Sequence, residues 1–274
     1  MQALKVHLVQ SVLHWEDPVK NLAMFDEKLA GLDTGPDLVV LPEMFTTGFT
    51  MIPHNVAEPM EGKSMQWMHE KARNLDCVVT GSMVIKEEEK YFNRLIWMQP
   101  DGNYSHYDKK HLFSYAGENK HYTPGSGKLI VELKGWKIMP VICYDLRFPG
   151  WCRNSHEQDQ GFAYDCMLNV ANWPGSRSHA WRVLLMARAI ENQAYVIGLN
   201  RVGEDGNQIE YSGDSAVLDP KGENLSGIMP FKDTSETASL SGCQLKSFRD
   251  AFRPWADWDK IEVKSYPSQG GGSQ

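Results

Sequence analysis

Short apolar runs alternate along this chain with stretches of helical periodicity, and that alternation restricts it to the α/β class. Residues 6–12 read as a strand. Residues 21–32 read as a helix in which Leu22, Phe25, Leu29 and Leu32 recur at three- and four-residue spacing along one stripe. Residues 37–41 form a compact buried run that ends at Pro42-Glu43, Ser64 is placed to cap a helix reaching about Leu75, and 77–85 are again strand-like. Hairpins interrupt the pattern: 91–99 and 104–109 flank Pro100-Asp101-Gly102-Asn103, and 129–133 and 136–144 flank Lys134-Gly135. A strand at 166–170 and a helix at 180–193 follow, the helix carrying Val183, Leu184, Ala187 and Ile190 on one side. A strand at 194–199 then precedes a last hairpin, in which Ala216 to Leu218 meet the Asp219-Pro220-Lys221-Gly222 turn and close the regular part. Hairpins mixed with strand–helix units predict mixed sheets, not a purely parallel doubly wound sheet.

No linker-like stretch divides the chain, and 274 residues with 42% hydrophobic content suffice for one large core. One domain is therefore expected over 1–267, followed by a Gly/Ser/Gln tail, 268–274, expected to be disordered. The net charge of -7, from 28 basic and 35 acidic residues, disfavours a nucleic-acid binder, which needs a basic surface to neutralise phosphates. It leaves room for a local basic pocket. No apolar run approaches the roughly 20 residues of a membrane span, and the N-terminus lacks a signal-peptide core, so a cytoplasmic protein without a membrane partner is expected. Five cysteines with no CxxC pair and no His/Cys ligand spacing predict neither disulfides nor a metal site, and no cofactor.

Chemistry-bearing residues cluster where apolar runs end. Cys143 closes the buried run Lys137-Ile138-Met139-Pro140-Val141-Ile142, and polar Asp145, Arg147 and the breaker Pro149 follow. A thiol at such a turn lies near free backbone N–H groups able to hold an oxyanion; equally, most intracellular cysteines are small buried hydrophobes. Cys77 and Cys166 read as core, whereas Cys152 and Cys243 sit in polar surroundings. A nucleophilic thiol needs a base or a cation beside it. Glu43, directly after a buried run, is a candidate general base, with a cap or salt bridge as the alternative. Lys109 and Lys110 end a strand-like run, and alternation sends them to opposite faces, so at most one enters a shared site. His111 invites a Cys–His dyad but reads as a satisfied structural residue.

At these residues the chain resembles the nitrilase, or carbon–nitrogen hydrolase, superfamily. The likeness rests on Leu41-Pro42-Glu43-Met44-Phe45, on Tyr107-Asp108-Lys109-Lys110-His111-Leu112-Phe113, and on Val141-Ile142-Cys143-Tyr144-Asp145-Leu146-Arg147-Phe148-Pro149, in the family's order. It implies Cys143 as nucleophile, Glu43 as base, Lys109 as the oxyanion-stabilising cation and Glu118, ahead of Tyr122 and Gly125, as a second glutamate that orients the lysine. It also implies an α-β-β-α sandwich of two mixed sheets flanked by helices, and homodimers joined through the helical layers. With Asn169-Val170-Ala171-Asn172-Trp173-Pro174 and Ala187-Arg188-Ala189-Ile190-Glu191-Asn192-Gln193, the chain is most similar to the omega-amidase branch, which hydrolyses the terminal amide of 2-oxoglutaramate and 2-oxosuccinamate.

An oxyanion then falls to Lys109 and the backbone N–H of Tyr144, and the small-molecule amide substrate needs an anchor for its carboxylate. Arg177 is the candidate, because a guanidinium binds carboxylate in bidentate fashion; Phe45, Tyr115 and Trp173 are expected as apolar walls. Arg147 reads as a structural ion pair. An amidase or carbamoylase for another small amide is the alternative within the superfamily. A non-catalytic binding protein has no reason to keep Glu, Lys and Cys together, and a thiol redox protein lacks a second cysteine at short spacing.

Overall fold

The computed structural model describes residues 1–32 and 35–263. Its first half runs β1 (Leu4–Gln10), α1 (Pro18–Leu29), β2 (Leu38–Val40), α2 (Lys63–Leu75), β3 (Val78–Glu87), β4 (Lys90–Met98) and β5 (Tyr104–Asp108). The second half supplies β6 (Val131–Leu133), β7 (Trp136–Ile142), the one-turn helix α3 (Pro149–Cys152) and a small hairpin of β8 (His156–Glu157) and β9 (Gly161–Phe162). Next come β10 (Cys166–Ala171), α4 (Ser178–Asn192), β11 (Tyr195–Asn200) and a second hairpin of β12 (Val202–Glu204) and β13 (Glu210–Ser212). The chain closes with β14 (Ala216–Leu218), β15 (Thr234–Leu240) and α5 (Gly242–Ala251).

Two mixed sheets result, in the orders β15-β1-β2-β3-β4-β5 and β14-β11-β10-β7-β6. Their centres are parallel, β1-β2-β3 and β7-β10-β11, and antiparallel strands flank them. Strand periodicity sorts the first sheet's side chains. Val6, Leu8, Leu38 and Val40 enter the core shared with Ile138, Val141 and Met167 of the second sheet. Their alternates Val9, Val39 and Val79 meet Phe25 and Leu29 of α1 and Met65 and Met68 of α2. On the second sheet, Trp181, Leu185 and Ala189 of α4 join the core, and a Cβ on Gly198 of β11 would lie 2.4 Å from a Leu185 methyl, so only glycine admits the helix this close. The layers are helix, sheet, sheet, helix, the expected α-β-β-α sandwich.

Differences from the expected elements have local causes. Helix α1 starts at Pro18, three residues early, because Asp17 caps it: its carboxylate accepts from Lys20 N–H at 3.1 Å, and proline suits the first helical position. Regular structure does not end at Leu218. β14 joins the sheet beside β11, and β15 adds an edge strand beside β1, pairing Leu240 with Leu4. As an edge strand, Thr-Ser-Glu-Thr-Ala-Ser-Leu buries only Ala238 and Leu240, so it carries almost no hydrophobic signal. Cys152, despite polar sequence neighbours, is fully buried. The 268–274 tail lies outside the described residues, and among those described no helix is long and apolar enough to cross a membrane.

β5 runs in the same sense as β2 and β3, being antiparallel to β4, which is antiparallel to β3. Glu43 therefore follows the carboxyl end of β2 and Lys109 that of β5, while Cys143 and Asn172 follow β7 and β10. Sites in α/β folds gather at such ends.

Candidate active site

Where β7 ends, the chain turns abruptly. Cys143 has φ 44°, left-handed backbone that costs a side-chain-bearing residue roughly 1–3 kcal/mol and persists only where the surroundings enforce it. Here they do. Cys143 N–H donates to Asn169 Oδ1 at 2.9 Å, and Asp145 Oδ2 accepts from Ile142 N–H at 3.1 Å. Asp145 also accepts from Tyr107 Oη at 2.8 Å and from the His111 backbone N–H at 2.9 Å, with His111 Nδ1 at 2.8 Å. The imidazole stacks on Phe148 at 3.7 Å. His111 thus serves the turn, as its structural reading expected. Beyond Cys143, the Tyr144 N–H lies in the first turn of a helical segment, where no internal acceptor exists for it.

A charged cluster faces the thiol. Lys109 Nζ donates to Glu43 Oε1 at 2.8 Å and to Glu118 at 3.0 Å, and all three side chains are sealed from solvent. Asn93 of β4 adds a donor to Glu43 Oε1 at 2.8 Å, while Glu43 Oε2 accepts from Asn172 N–H at 2.6 Å. Glu118 is fixed by Phe113 N–H at 2.5 Å. Burial opposes the charge on Lys109, but Glu118 and Glu43 outweigh it and hold the ammonium above the usual lysine range. Burial, reinforced by Glu43, raises Glu118 against the pull of Lys109. Burial first, then the Glu43 carboxylate, pushes the Cys143 thiol well above its ordinary value, with Lys109 opposing. At neutral pH the thiol is accordingly protonated, and it needs a base at the moment of attack.

The cavity over Cys143 has aromatic walls from Phe49, Phe113, Trp173 and Tyr211, and two guanidinium groups, Arg147 and Arg177. Arg147 lies 4.7 Å from the centre of the Trp173 ring and Arg177 5.4 Å from that of Phe113. Neither has a carboxylate partner among the described residues, so the ion pair expected for Arg147 is not formed. Trp173 and Arg177 both line this cavity.

Two expected walls are elsewhere. Phe45 is in the core against Phe25 at 5.7 Å and Trp67 at 5.9 Å. The left-handed Met44 (φ 43°) reverses the chain ahead of it, and Gly81 leaves space for the ring, since a Cβ there would lie 3.0 Å from it. Tyr115 is 86% exposed, on the outer side of a 3₁₀ turn, Ser114–Ala116, and its neighbour Phe113 lines the cavity instead.

Asn93 and Asp145 carried no assigned role in the sequence, although Asn93 had a readable signal. A polar residue inside the apolar run of β4 must find buried partners. The β12–β13 hairpin, which brings Ile209 and Tyr211 to the rim, lacks the apolar length that marks a strand in sequence. Among the described residues no group of three or more His, Cys, Asp or Glu side chains is placed to hold a metal ion.

The carbon–nitrogen hydrolase family profile matches residues 5–249. The chain is 44% identical over 263 residues to the omega-amidase YafV of Escherichia coli K12, covering 96% of this chain and 100% of that protein. It is 33% identical to the 2-oxoglutaramate amidase of Bacillus subtilis over 69% of this chain and 72% of the relative. Among solved structures, XC1258 from Xanthomonas campestris, a CN-hydrolase superfamily protein with an arsenic adduct in its active site, superposes with a TM-score of 0.94 at 41% identity, over 96% of this chain and all of that one.

Proposed function

The chain belongs to the carbon–nitrogen hydrolase family, and we propose that it hydrolyses the terminal amide of a small omega-amido 2-oxo acid, 2-oxoglutaramate or 2-oxosuccinamate, to the dicarboxylic keto acid and ammonia. The observation that carries this reading is the pairing of two halves at Cys143, which faces the charged cluster and lines the cavity. A buried Glu43–Lys109–Glu118 cluster stands at the thiol, and two guanidiniums without carboxylate partners among the described residues line the cavity beside it.

In the proposed mechanism Glu43 accepts the thiol proton as Cys143 Sγ attacks the amide carbon. Oε2, which carries one donor where Oε1 carries two, is the oxygen left to exchange the proton. The tetrahedral oxyanion is held by Lys109 Nζ and Tyr144 N–H, charge-assisted donors in a dry site. Protonated Glu43 then gives its proton to the nitrogen, the C–N bond breaks, and ammonia departs from a Cys143 thioester. Glu43 next takes a proton from water, hydroxide adds to the thioester carbon, and collapse breaks the C–S bond to release the acid and restore the thiol. Glu118 positions Lys109 throughout.

The substrate's free carboxylate is assigned to Arg177, with Arg147 as a second donor. Arg177→Ala is expected to raise the KM for 2-oxoglutaramate by about 10- to 100-fold, the worth of a charged hydrogen bond, with kcat little changed. A neutral amide of the same length serves as control and keeps its KM. Ammonia release over a panel of omega-amides, carbamoyl compounds and nitriles tests the substrate class; an unchanged KM in Arg177→Ala removes the clamp.

We also assign the enzyme a homodimeric state. Helix α4 leaves Val183, Met186 and Ile190 exposed at helical spacing, and the Gly222 turn lies against Met186 and Ile190. A contiguous apolar stripe on a folded surface marks an interface. Met186→Glu with Ile190→Glu is expected to halve the mass in sedimentation, and a monomeric parent protein overturns the assignment. A cytoplasmic location is proposed on the five free cysteines, and cell fractionation with amidase activity as the marker checks it.

A further inference from the structure

Asn172 opens the loop after β10 and borders the cavity beside Cys143. Its backbone N–H donates to Glu43 Oε2 at 2.6 Å, its Nδ2 donates to the Glu43 carbonyl at 2.7 Å, and its own carbonyl oxygen lies 3.9 Å from Cys143 Sγ. The bond to the Glu43 carbonyl fixes the orientation of the carboxamide, because only the nitrogen end can donate to that oxygen. Oδ1 is then left without a partner among the described residues, although Asn172 is 4% exposed. A buried acceptor with nothing to accept is costly and asks for an explanation.

The reaction brings the complementary group. A primary amide delivered to Sγ presents its oxygen to Lys109 and Tyr144, and its NH2 carries two donors into the site. Glu43 Oε2 can satisfy one of them. We infer that Asn172 Oδ1 accepts the other, so that Asn172 is the residue by which the enzyme separates a primary amide from an ester of the same shape. A site built to bond a substrate N–H rejects the analogue that lacks it, because its own polar atom then stays unpaired. This inference rests on the amidase function proposed above.

The test compares kcat/KM for an omega-amide and for the omega-methyl ester of the same acid, in the parent enzyme and in variants. Both substrates give the same thioester, so the ratio isolates acylation. Asn172→Ala is expected to lower the amide-to-ester ratio by about 10- to 100-fold. Asn93→Ala, which removes a support of Glu43 but touches no amide, is expected to slow both substrates and leave the ratio intact. If Asn172→Ala does not fold, Asn172→Leu keeps the shape of the side chain, withdraws the same oxygen and is read in the same way. A ratio that stays at the parent value, with both rates falling as in Asn93→Ala, overturns the inference and reduces Asn172 to a support for Glu43. A parent enzyme that releases no ammonia from any amide overturns the proposed function as well.

Discussion

Replacing Cys143 by alanine is expected to cut ammonia release from an omega-amide by at least about 10⁴-fold, the scale on which an enzyme loses its nucleophile. No other described group can take over. Cys152, Cys77 and Cys166 are buried in the core away from the cavity, and burial pushes the Cys152 and Cys77 thiols up to about 12. The variant should fold normally, because the turn is held by the amide of residue 143 on Asn169 and by Asp145, neither of which needs the sulfur. Mass spectrometry supplies the second readout: the parent protein, acid-quenched during turnover, carries an acyl group on Cys143, and the alanine variant carries none. Substantial ammonia release by the variant would refute the thioester route.

Lys109→Met is expected to damage stability as much as rate. Removing the ammonium withdraws the proposed oxyanion donor, a loss that typically costs about 10²- to 10³-fold in rate. It also leaves Glu43 and Glu118 facing one another in a site closed to solvent. Breaking a buried pair by deleting one partner costs about 3–5 kcal/mol, since the remaining charge is uncompensated. The pH dependence follows from the sign of the shift. Burial and Glu43 already raise Glu118, and loss of Lys109 removes the opposing influence. A carboxyl group whose folded pKa is raised keeps its stability below the unfolded value, near about 4.3, and loses it as pH rises through the folded value. The variant should therefore unfold more readily at neutral pH than at about pH 5, and thermal melts across that interval measure the difference. A melting temperature equal to that of the parent at both pH values would show that Lys109 does not neutralise the pair.

Much of this fold could be read in advance, and what could not was polar. Strands β2, β7 and β10 bury every or nearly every side chain, so their runs, broken only by Lys137 and Asn169, stand out as hydrophobic. Strand β15 and the β12–β13 hairpin bury only alternate or terminal residues, and their composition matches that of loops. The site divides in the same way. Glu43, Lys109 and Cys143 each follow a legible strand, and the resemblance arranged them. Phe45 and Tyr115, expected as apolar walls, lie elsewhere: the left-handed Met44 turns Phe45 into the core, and the 3₁₀ turn at Ser114–Ala116 leaves Tyr115 exposed.

Hydrophobic period and turn chemistry are local, and they were enough to mark the strand ends, the chemical types standing there and the order in which they occur. Packing in three dimensions was needed to carry the ends of β2, β5, β7 and β10 to one place. It alone put the Cys143 thiol above its ordinary pKa, since that shift comes from burial and from a carboxylate one hundred positions earlier in the chain. It also released Arg147 from its expected ion pair and left Asn172 Oδ1, in a residue that borders the cavity, without a partner among the described residues. Desolvation and pairing depend on distances between residues far apart in sequence, and those distances exist only once the two sheets have packed.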